Sequence, residues 1–106
     1  MIKFEELVPM LEESNIPVVE YSKLVEDDEY EFPLIVYNYS DDEGFSADGI
    51  PYVLFHNIRV TVLTEEKTRQ EDFKSILKAH EVFFSYDTDF DDDNRVFIGT
   101  YAFQTL

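Results

Sequence analysis

The sequence has 106 residues, of which 44% are hydrophobic and 16% aromatic, and it contains no cysteine. This length and composition are typical of one globular domain with a single core. The lack of cysteine excludes disulfides, thiolate metal sites and cysteine nucleophiles. The 24 acidic and 8 basic residues give a formal net charge of −16, which repels nucleic acid and acidic membranes and argues against a conventional DNA- or RNA-binding protein.

The first residues predict a helix and then a strand at the edge of a sheet. Apolar residues recur at helical spacing over residues 2–13, namely Phe4, Leu7, Val8 and Leu11. Pro9 lies inside this pattern and predicts either a kink or the true first turn of the helix. Residues 16–21 predict a short strand, and Pro17 places it at an edge. The N-terminus is acidic and no apolar run approaches the length of a membrane span, so we expect a soluble protein inside a cell.

The middle of the chain predicts two longer strands. An acidic stretch at residues 26–31 is typical of a solvated turn. Residues 34–39 are β-branched and aromatic and predict a central strand, followed by a loop over residues 40–49. Residues 50–64 form the longest extended segment, in which Ile58, Val60 and Val62 alternate with polar residues. His56 and Asn57 interrupt its apolar start and predict a bend or bulge.

The last part of the chain predicts a helix and a hairpin. Residues 68–80 predict the helix, with Thr68 and Glu71 in a capping box. Its expected buried stripe is Phe73, Ile76, Leu77 and His80, and its expected solvent-facing lysines are Lys74 and Lys78. Residues 82–86 and 96–103 predict strands joined by an acidic loop over residues 87–94. The order of elements predicts one α+β domain over residues 1–106, with an antiparallel or mixed sheet of about four or five strands and two helices packed on one face.

The acidic loop is the best candidate for a metal site, but its pattern is incomplete. Asp87, Asp89 and Asp91 alternate as in the first half of a calcium loop. Asp92 stands where such a loop needs glycine, and Ile98 stands where it needs glutamate. A charged hairpin turn is therefore the favoured interpretation, with weak Mg²⁺ association as the alternative.

Candidate catalytic residues are scarce. His56 and His80 are the only histidines, and structural roles in a strand and at a helix end fit both. The three glycines do not have phosphate-loop spacing. We therefore expect neither an enzyme nor a bound cofactor or metal. Aromatic residues around the loop between the second and third strands are interface candidates, because tyrosine and phenylalanine are enriched in contact surfaces. With one loop aspartate, these candidates are Tyr39, Phe45, Asp48, Tyr52 and Phe55.

Aliphatic and aromatic strand patterns at residues 16–21, 32–39, 45–48, 60–64, 81–86 and 96–103, with a charged helix after residue 64, extend over most of the chain. Together they resemble the small tail-completion proteins of siphophages and prophages of Gram-positive bacteria. The resemblance implies a structural subunit, a tail terminator or head–tail joining protein. Such subunits form a ring, commonly of six copies, at the head-proximal end of the tail tube. The ring ends tube polymerisation and joins the tail to the head connector.

The resemblance also implies partners, a location and a role for the charge. The partners are other copies of the chain, the tail tube protein and the head connector or stopper protein. The location is the tail or neck of the virion, and the host cytoplasm during assembly. An acidic ring would let DNA pass without binding it, because like charges repel. The candidate residues facing the channel are Glu26, Asp27, Asp28, Glu29, Asp87, Asp89, Asp91, Asp92 and Asp93.

Two alternatives remain open at this point. An acidic DNA-mimic inhibitor of a nuclease or restriction enzyme is supported by charge alone, because a mimic needs carboxylates spaced like phosphates and the predicted acids gather in loops. A metal-assisted hydrolase that uses residues 87–93 is disfavoured by the incomplete ligand pattern.

Overall fold

The computed structural model describes residues 2–24, 31–42 and 55–106, except for the side chains of Asp41 and Asp42. The strands in these residues are β1 (Val18–Glu20), β2 (Leu34–Asp42), β3 (Phe55–Thr64), β4 (Ser85–Asp91) and β5 (Val96–Thr105). They form one mixed sheet in the order β1-β2-β3-β5-β4, in which β1 is parallel to β2 and all other pairs are antiparallel. The helices are α1 (Leu7–Glu12) and α2 (Lys67–Ala79). The predicted α+β class is confirmed.

One face of the sheet carries the core. Ile58, Val60 and Val62 of β3 lie opposite Phe103, Tyr101 and Gly99 of β5, so these side chains share a face. They pack with buried residues of both helices, which are Leu7, Met10, Leu11, Phe73 and Leu77. We call this side the helix face and the other side the open face. The predicted alternation of β3 is confirmed, because Arg59 between the buried residues is exposed on the open face.

The N-terminal helix is shorter than predicted. A 3₁₀ turn over Phe4–Glu6 precedes α1. Pro9 lies in the first turn of α1, where backbone N–H groups have no acceptor within the helix, so the absence of an N–H on proline costs no helical hydrogen bond. Met10 rather than Val8 completes the buried stripe, because Met10 lies three residues after Leu7 on the same side of the helix. The predicted edge strand is present as β1, but it is limited to Val18–Glu20 instead of residues 16–21.

β2 begins at Leu34 as predicted, but its predicted C-terminal end and the predicted bulge in β3 are wrong. β2 continues through Asp42, which pairs with Phe55, although residues 40–49 were expected to form a loop. Pairing runs without interruption through His56 and Asn57 on both sides of β3. Continuous ladders with two neighbours leave no unpaired residue, so a bulge cannot form there. Residues 43–54 of the predicted loop and long strand lie outside the described residues.

The second helix occurs where it was predicted but is capped differently. It begins at Lys67 with Glu66 as N-cap, and neither Thr68 nor another side chain caps it. The hydroxyl of Thr64 instead donates to the carbonyl oxygen of Glu66 at 2.9 Å, which fixes the chain just before the helix. Lys74 does not face solvent as expected, because its side chain is 13% exposed and its ammonium group lies 3.8 Å from the ring centre of Tyr86.

The acidic segment between the last two strands is itself mostly strand. β4 begins at Ser85 and continues to Asp91, so the predicted loop is reduced to a turn of residues 92–95. Register with β5 places Tyr86, Thr88 and Phe90 opposite helix-face residues. Pairing with β5 on this one side outweighs the low strand propensity of aspartate. The prediction of a loop at Asp87 and Asp89 is therefore wrong.

Candidate interaction surface

The outer edge of β4 is free in the part of the chain that the structure describes. β4 is the last strand of the sheet and pairs only with β5. Its side chains alternate between the two faces, with Asp87, Asp89 and Asp91 on the open face. Charged residues on a free edge are a common protection against pairing with copies of the same protein. The strand therefore presents an outer edge without a partner strand in the described part of the chain, with carboxylates on one face and Tyr86, Thr88 and Phe90 on the other. The N–H of Phe90 already donates to Asp89 Oδ1 at 2.8 Å.

An apolar groove lies beside this edge, and the end of α2 positions it. Glu81 has φ of 57°, and the N–H of Val82 donates to the carbonyl oxygen of Leu77 at 3.0 Å while that of Glu81 donates to Lys78 at 3.0 Å. This is a Schellman motif, in which the residue after the left-handed position packs back onto the helix. Val82 is accordingly buried and Phe83 is turned outward, with 95% of its surface exposed.

The groove has a volume of about 770 Å³. The residues that line it are Lys78, Glu81, Val82, Phe83, Phe84 and Tyr86. The half-buried ring of Phe84 packs 5.7 Å from that of Tyr101, measured between centres, and so connects the groove to the core. The exposed Phe83 lies two residues before the start of β4, and the groove reaches from it to Tyr86 of that strand. We call the free edge of β4 together with this groove the β4 surface.

A buried polar network holds the sheet under α2. The amide nitrogen of Gln70 lies 2.8 Å from the carbonyl oxygen of Val62, 3.1 Å from Thr64 Oγ1 and 3.3 Å from the carbonyl oxygen of Phe97. The hydroxyl of Tyr101 donates to Gln70 Oε1 at 2.8 Å. Burial, with Glu71 and Tyr86 nearby, raises the pKa of Tyr101 well above its ordinary value. Gln70 was not among the residues predicted to be buried, although its spacing of three residues before Phe73 and seven before Leu77 places it on the same side of the helix.

Asp91 stabilises the turn after β4. Its Oδ1 accepts from the backbone N–H of Asp93 at 3.0 Å, and its Oδ2 accepts from the side-chain amide of Asn94 at 2.8 Å. These hydrogen bonds, that of Asn94 first, lower the pKa of Asp91. Asp92 and Asp93 are exposed in the same turn.

The structure separates the carboxylates of the proposed calcium loop. Asp87 and Asp91 are four residues apart in an extended strand, which corresponds to roughly 13 Å. Calcium ligands lie about 2.4 Å from the ion, so these two residues cannot bind the same ion. Among the described residues, no group of three or more histidine, cysteine, aspartate or glutamate side chains is placed to hold a metal.

Both histidines contact other elements. The Nε2 atom of His80, the residue after α2, forms a hydrogen bond with the carboxyl group of Glu13, the residue after α1. The ring of His56 lies 4.4 Å from that of Phe4 and 6.4 Å from that of Tyr39, between centres. Each histidine therefore links separate segments of the fold.

The remaining predicted site residues are only partly described. Tyr39 is 44% exposed and its ring packs edge-on against Phe4, while Phe55 begins β3 and is partly buried. The structure does not bring either residue into the β4 surface. The other predicted site residues lie outside the described residues: Glu26, Asp27, Asp28, Glu29, Phe45, Asp48 and Tyr52.

The open face holds a second, polar depression of about 430 Å³ near the middle of the sheet. Arg59 is exposed there, and the side-chain amide of Gln104 donates to Asn57 Oδ1 at 3.0 Å. This depression contains one basic side chain and no carboxylate among its described lining residues, so these residues offer no acid–base pair of oppositely charged groups.

Comparison with known proteins adds no assignment: no family model matches the chain, and no curated protein matches its sequence. Among the described residues, no helix has both the length and the apolar character required to cross a membrane.

Proposed function

We propose that this protein is a non-catalytic subunit of a phage tail, of the tail-completion type. In this role, copies of the chain form a ring, commonly of six, at the head-proximal end of the tail tube. The ring ends tube polymerisation and joins the tail to the head connector. The main support from the structure is Phe83, which is 95% exposed beside an apolar groove and a free sheet edge. Large apolar side chains in such positions are typical of surfaces that bind other proteins.

A ring requires that two different surfaces of one subunit meet, so that each copy contacts the next through a heterologous contact. The two edges of this sheet differ in this way, because β1 and β4 lie at opposite ends and only β4 carries a row of carboxylates. The charge of −16 supports a channel that conducts DNA without binding it. Asp92 and Asp93, exposed in the turn after β4, are the described candidates that best suit this lining role.

The test is native mass spectrometry of the purified protein, alone and with purified siphophage tail tubes, at modest salt. We expect a discrete ring-sized oligomer or binding at one end of the tube. Phe83→Ala should reduce binding to the tube, whereas Tyr21→Ala should not, since Tyr21 is a 62% exposed aromatic residue next to the opposite edge of the sheet. The proposal would be refuted if the protein stayed monomeric at all concentrations and did not bind the tubes.

The DNA-mimic alternative gains one specific observation. Asp87, Asp89 and Asp91 lie in a row on one face of a strand and not in a loop. Their spacing of about 6.8 Å is twice the 3.4 Å axial spacing of phosphates along one DNA strand. A mimic would inhibit a nuclease or restriction enzyme, and Asp87→Asn with Asp89→Asn would remove most of that inhibition. Failure to inhibit a panel of such enzymes at saturating protein would exclude this function.

A further inference from the structure

The free edge of β4 has the properties of a site for strand addition. It lies at the end of the sheet, spans Ser85–Asp91, and its residues from Ser85 to Phe90 are all exposed. A strand that pairs with such an edge gains main-chain hydrogen bonds and places its alternate side chains beside those of the edge. The site therefore requires that its partner be extended, and it also determines which side chains the partner carries at alternate positions.

The two faces of β4 specify two kinds of partner side chain. On the open face, Asp87 and Asp89 would lie beside the partner's residues and favour lysine or arginine there. On the helix face, Tyr86 and Phe90 offer apolar contact, and the ring of Tyr86 is already covered by the ammonium group of Lys74, which is paired with Glu71 at 3.2 Å. The two faces therefore favour basic partner side chains on the open face and apolar partner side chains on the helix face.

We propose that the β4 surface binds an extended segment of a different protein in which basic and apolar residues alternate. The segment extends the sheet as a sixth strand beside the five described here. An apolar residue beyond its paired part occupies the groove at Phe83 and Phe84. This proposal deepens the proposed function by naming the chemistry of a partner for the same surface, and it rests on that function only for the natural identity of the partner.

A second copy of this chain is a poor strand-pairing partner for this edge, so contacts between ring subunits would not extend the sheet at β4. Antiparallel pairing of β4 with β4 of another copy would place aspartates beside aspartates, which is unfavourable. Among the eight basic residues of the chain, only Lys67 and Arg69 are two positions apart, and both lie in α2. The chain therefore has no strand that could supply the required basic row. For the same reason, Asp87 and Asp89 are better suited to partner binding than to lining a DNA channel.

The probe is a synthetic peptide of about nine residues in which lysine and valine alternate, long enough to span β4. Its control has the same composition with the lysines and valines in separate blocks, and a third peptide alternates glutamate and valine. Binding to the full chain is measured by calorimetry, and the bound segment is located by hydrogen exchange. We expect roughly tenfold tighter binding of the alternating basic peptide than of the block peptide, with slowed exchange at residues 85–91.

Matched variants separate the edge from general charge. Asp87→Lys with Asp89→Lys should reverse the preference, so that the glutamate–valine peptide binds more tightly than the lysine–valine peptide. Glu12→Lys with Asp72→Lys makes the same change in net charge at exposed helical positions and should keep the original preference. Phe83→Ala should weaken binding about fivefold, because it removes an exposed contact without disturbing the core.

Equal affinity for the alternating and block peptides, protection outside residues 85–91, or no saturable binding would overturn the proposal. The outcome is independent of ring formation. Peptide binding by a protein that neither forms rings nor binds tubes would refute the tail function alone, and rings or tube binding without peptide binding would refute the strand-addition site alone.

Discussion

The contact between Gly99 and Gln70 should make two destabilising substitutions compensate each other. A Cβ atom on Gly99 would lie 3.0 Å from Gln70 Cδ, 2.9 Å from Tyr101 Cε2 and closer still to Gln70 Oε1. Gln70 and Tyr101 are 2% and 0% exposed, so neither side chain can move without breaking the network between them. Gly99→Ala therefore combines overpacking with a lost hydrogen bond, and we expect a loss of about 3 kcal/mol in the free energy of unfolding.

Gln70→Ala should cost a similar amount by a different route. It leaves the Tyr101 hydroxyl without its acceptor and opens a cavity under the sheet, for a loss of about 3 kcal/mol. Independent effects would give about 6 kcal/mol for the double variant, which approaches the whole stability of a typical domain. Because the double variant lacks the side chain that a Cβ on Gly99 would strike, we expect its loss to be about 4 kcal/mol, a coupling of about 2 kcal/mol.

Urea denaturation followed by circular dichroism measures this cycle. A coupling of about 2 kcal/mol corresponds to a difference of roughly 1 to 2 M between observed and additive midpoints. Ser75→Ala is the control partner, since Ser75 lies on the exposed side of the same helix and should be additive with Gly99→Ala. Additivity of Gly99→Ala and Gln70→Ala within about 0.5 kcal/mol would refute the reasoning.

Three further predictions concern pH and the helix end. Because burial raises the pKa of Tyr101 in the folded state, its contribution to stability is present below the ordinary tyrosine value of about 10 and is lost as pH rises above it. Tyr101→Phe should flatten the fall of the urea midpoint above about pH 10, whereas the exposed Tyr21→Phe should not, and parallel curves for all three proteins would contradict this. Since Asn94 contributes most to the lowered pKa of Asp91, Asn94→Ala should raise that pKa in an NMR titration of the carboxyl groups, and an unchanged value would disprove the assignment. Asp91 therefore favours folding above its unfolded pKa, and this effect fades as pH falls through the lower folded value. Glu81→Gly should raise the free energy of unfolding by about 0.5 kcal/mol, because glycine adopts the left-handed conformation without strain, and thermal denaturation that shows a loss would contradict this.

The fold class followed from the sequence because the strongest periodic segments are also the core. Ile58, Val60 and Val62 alternate in the sequence and lie buried in one row. The stripe around Phe73 and Leu77 likewise places α2 on the helix face. Hydrophobic periodicity indicates burial directly, so these elements could be predicted without knowing which other elements they pack against.

The candidate surface was largely hidden from the sequence because it depends on tertiary pairing. An aspartate-rich segment has low strand propensity, and only pairing with β5 makes Asp87 and Asp89 part of a strand. The exposure of Phe83 depends on the left-handed conformation of Glu81, which a glutamate at that position does not indicate. The first feature depends on a neighbouring strand and the second on one backbone conformation, and the local sequence specifies neither.

The carboxylates on β4 also imply that self-association of the protein increases as the pH falls. At neutral pH these carboxylates keep identical edges of two copies apart by charge repulsion. The sequence pI of about 4.1 means that the whole molecule is also negatively charged at that pH. As the pH falls toward this pI, the molecule loses its net charge and with it the repulsion between copies, while the outer edge of β4 still has no partner strand among the described residues. Acidification should then convert a selective edge into a template for ordered self-association. Buffers well above that pH are therefore the suitable condition for handling this protein.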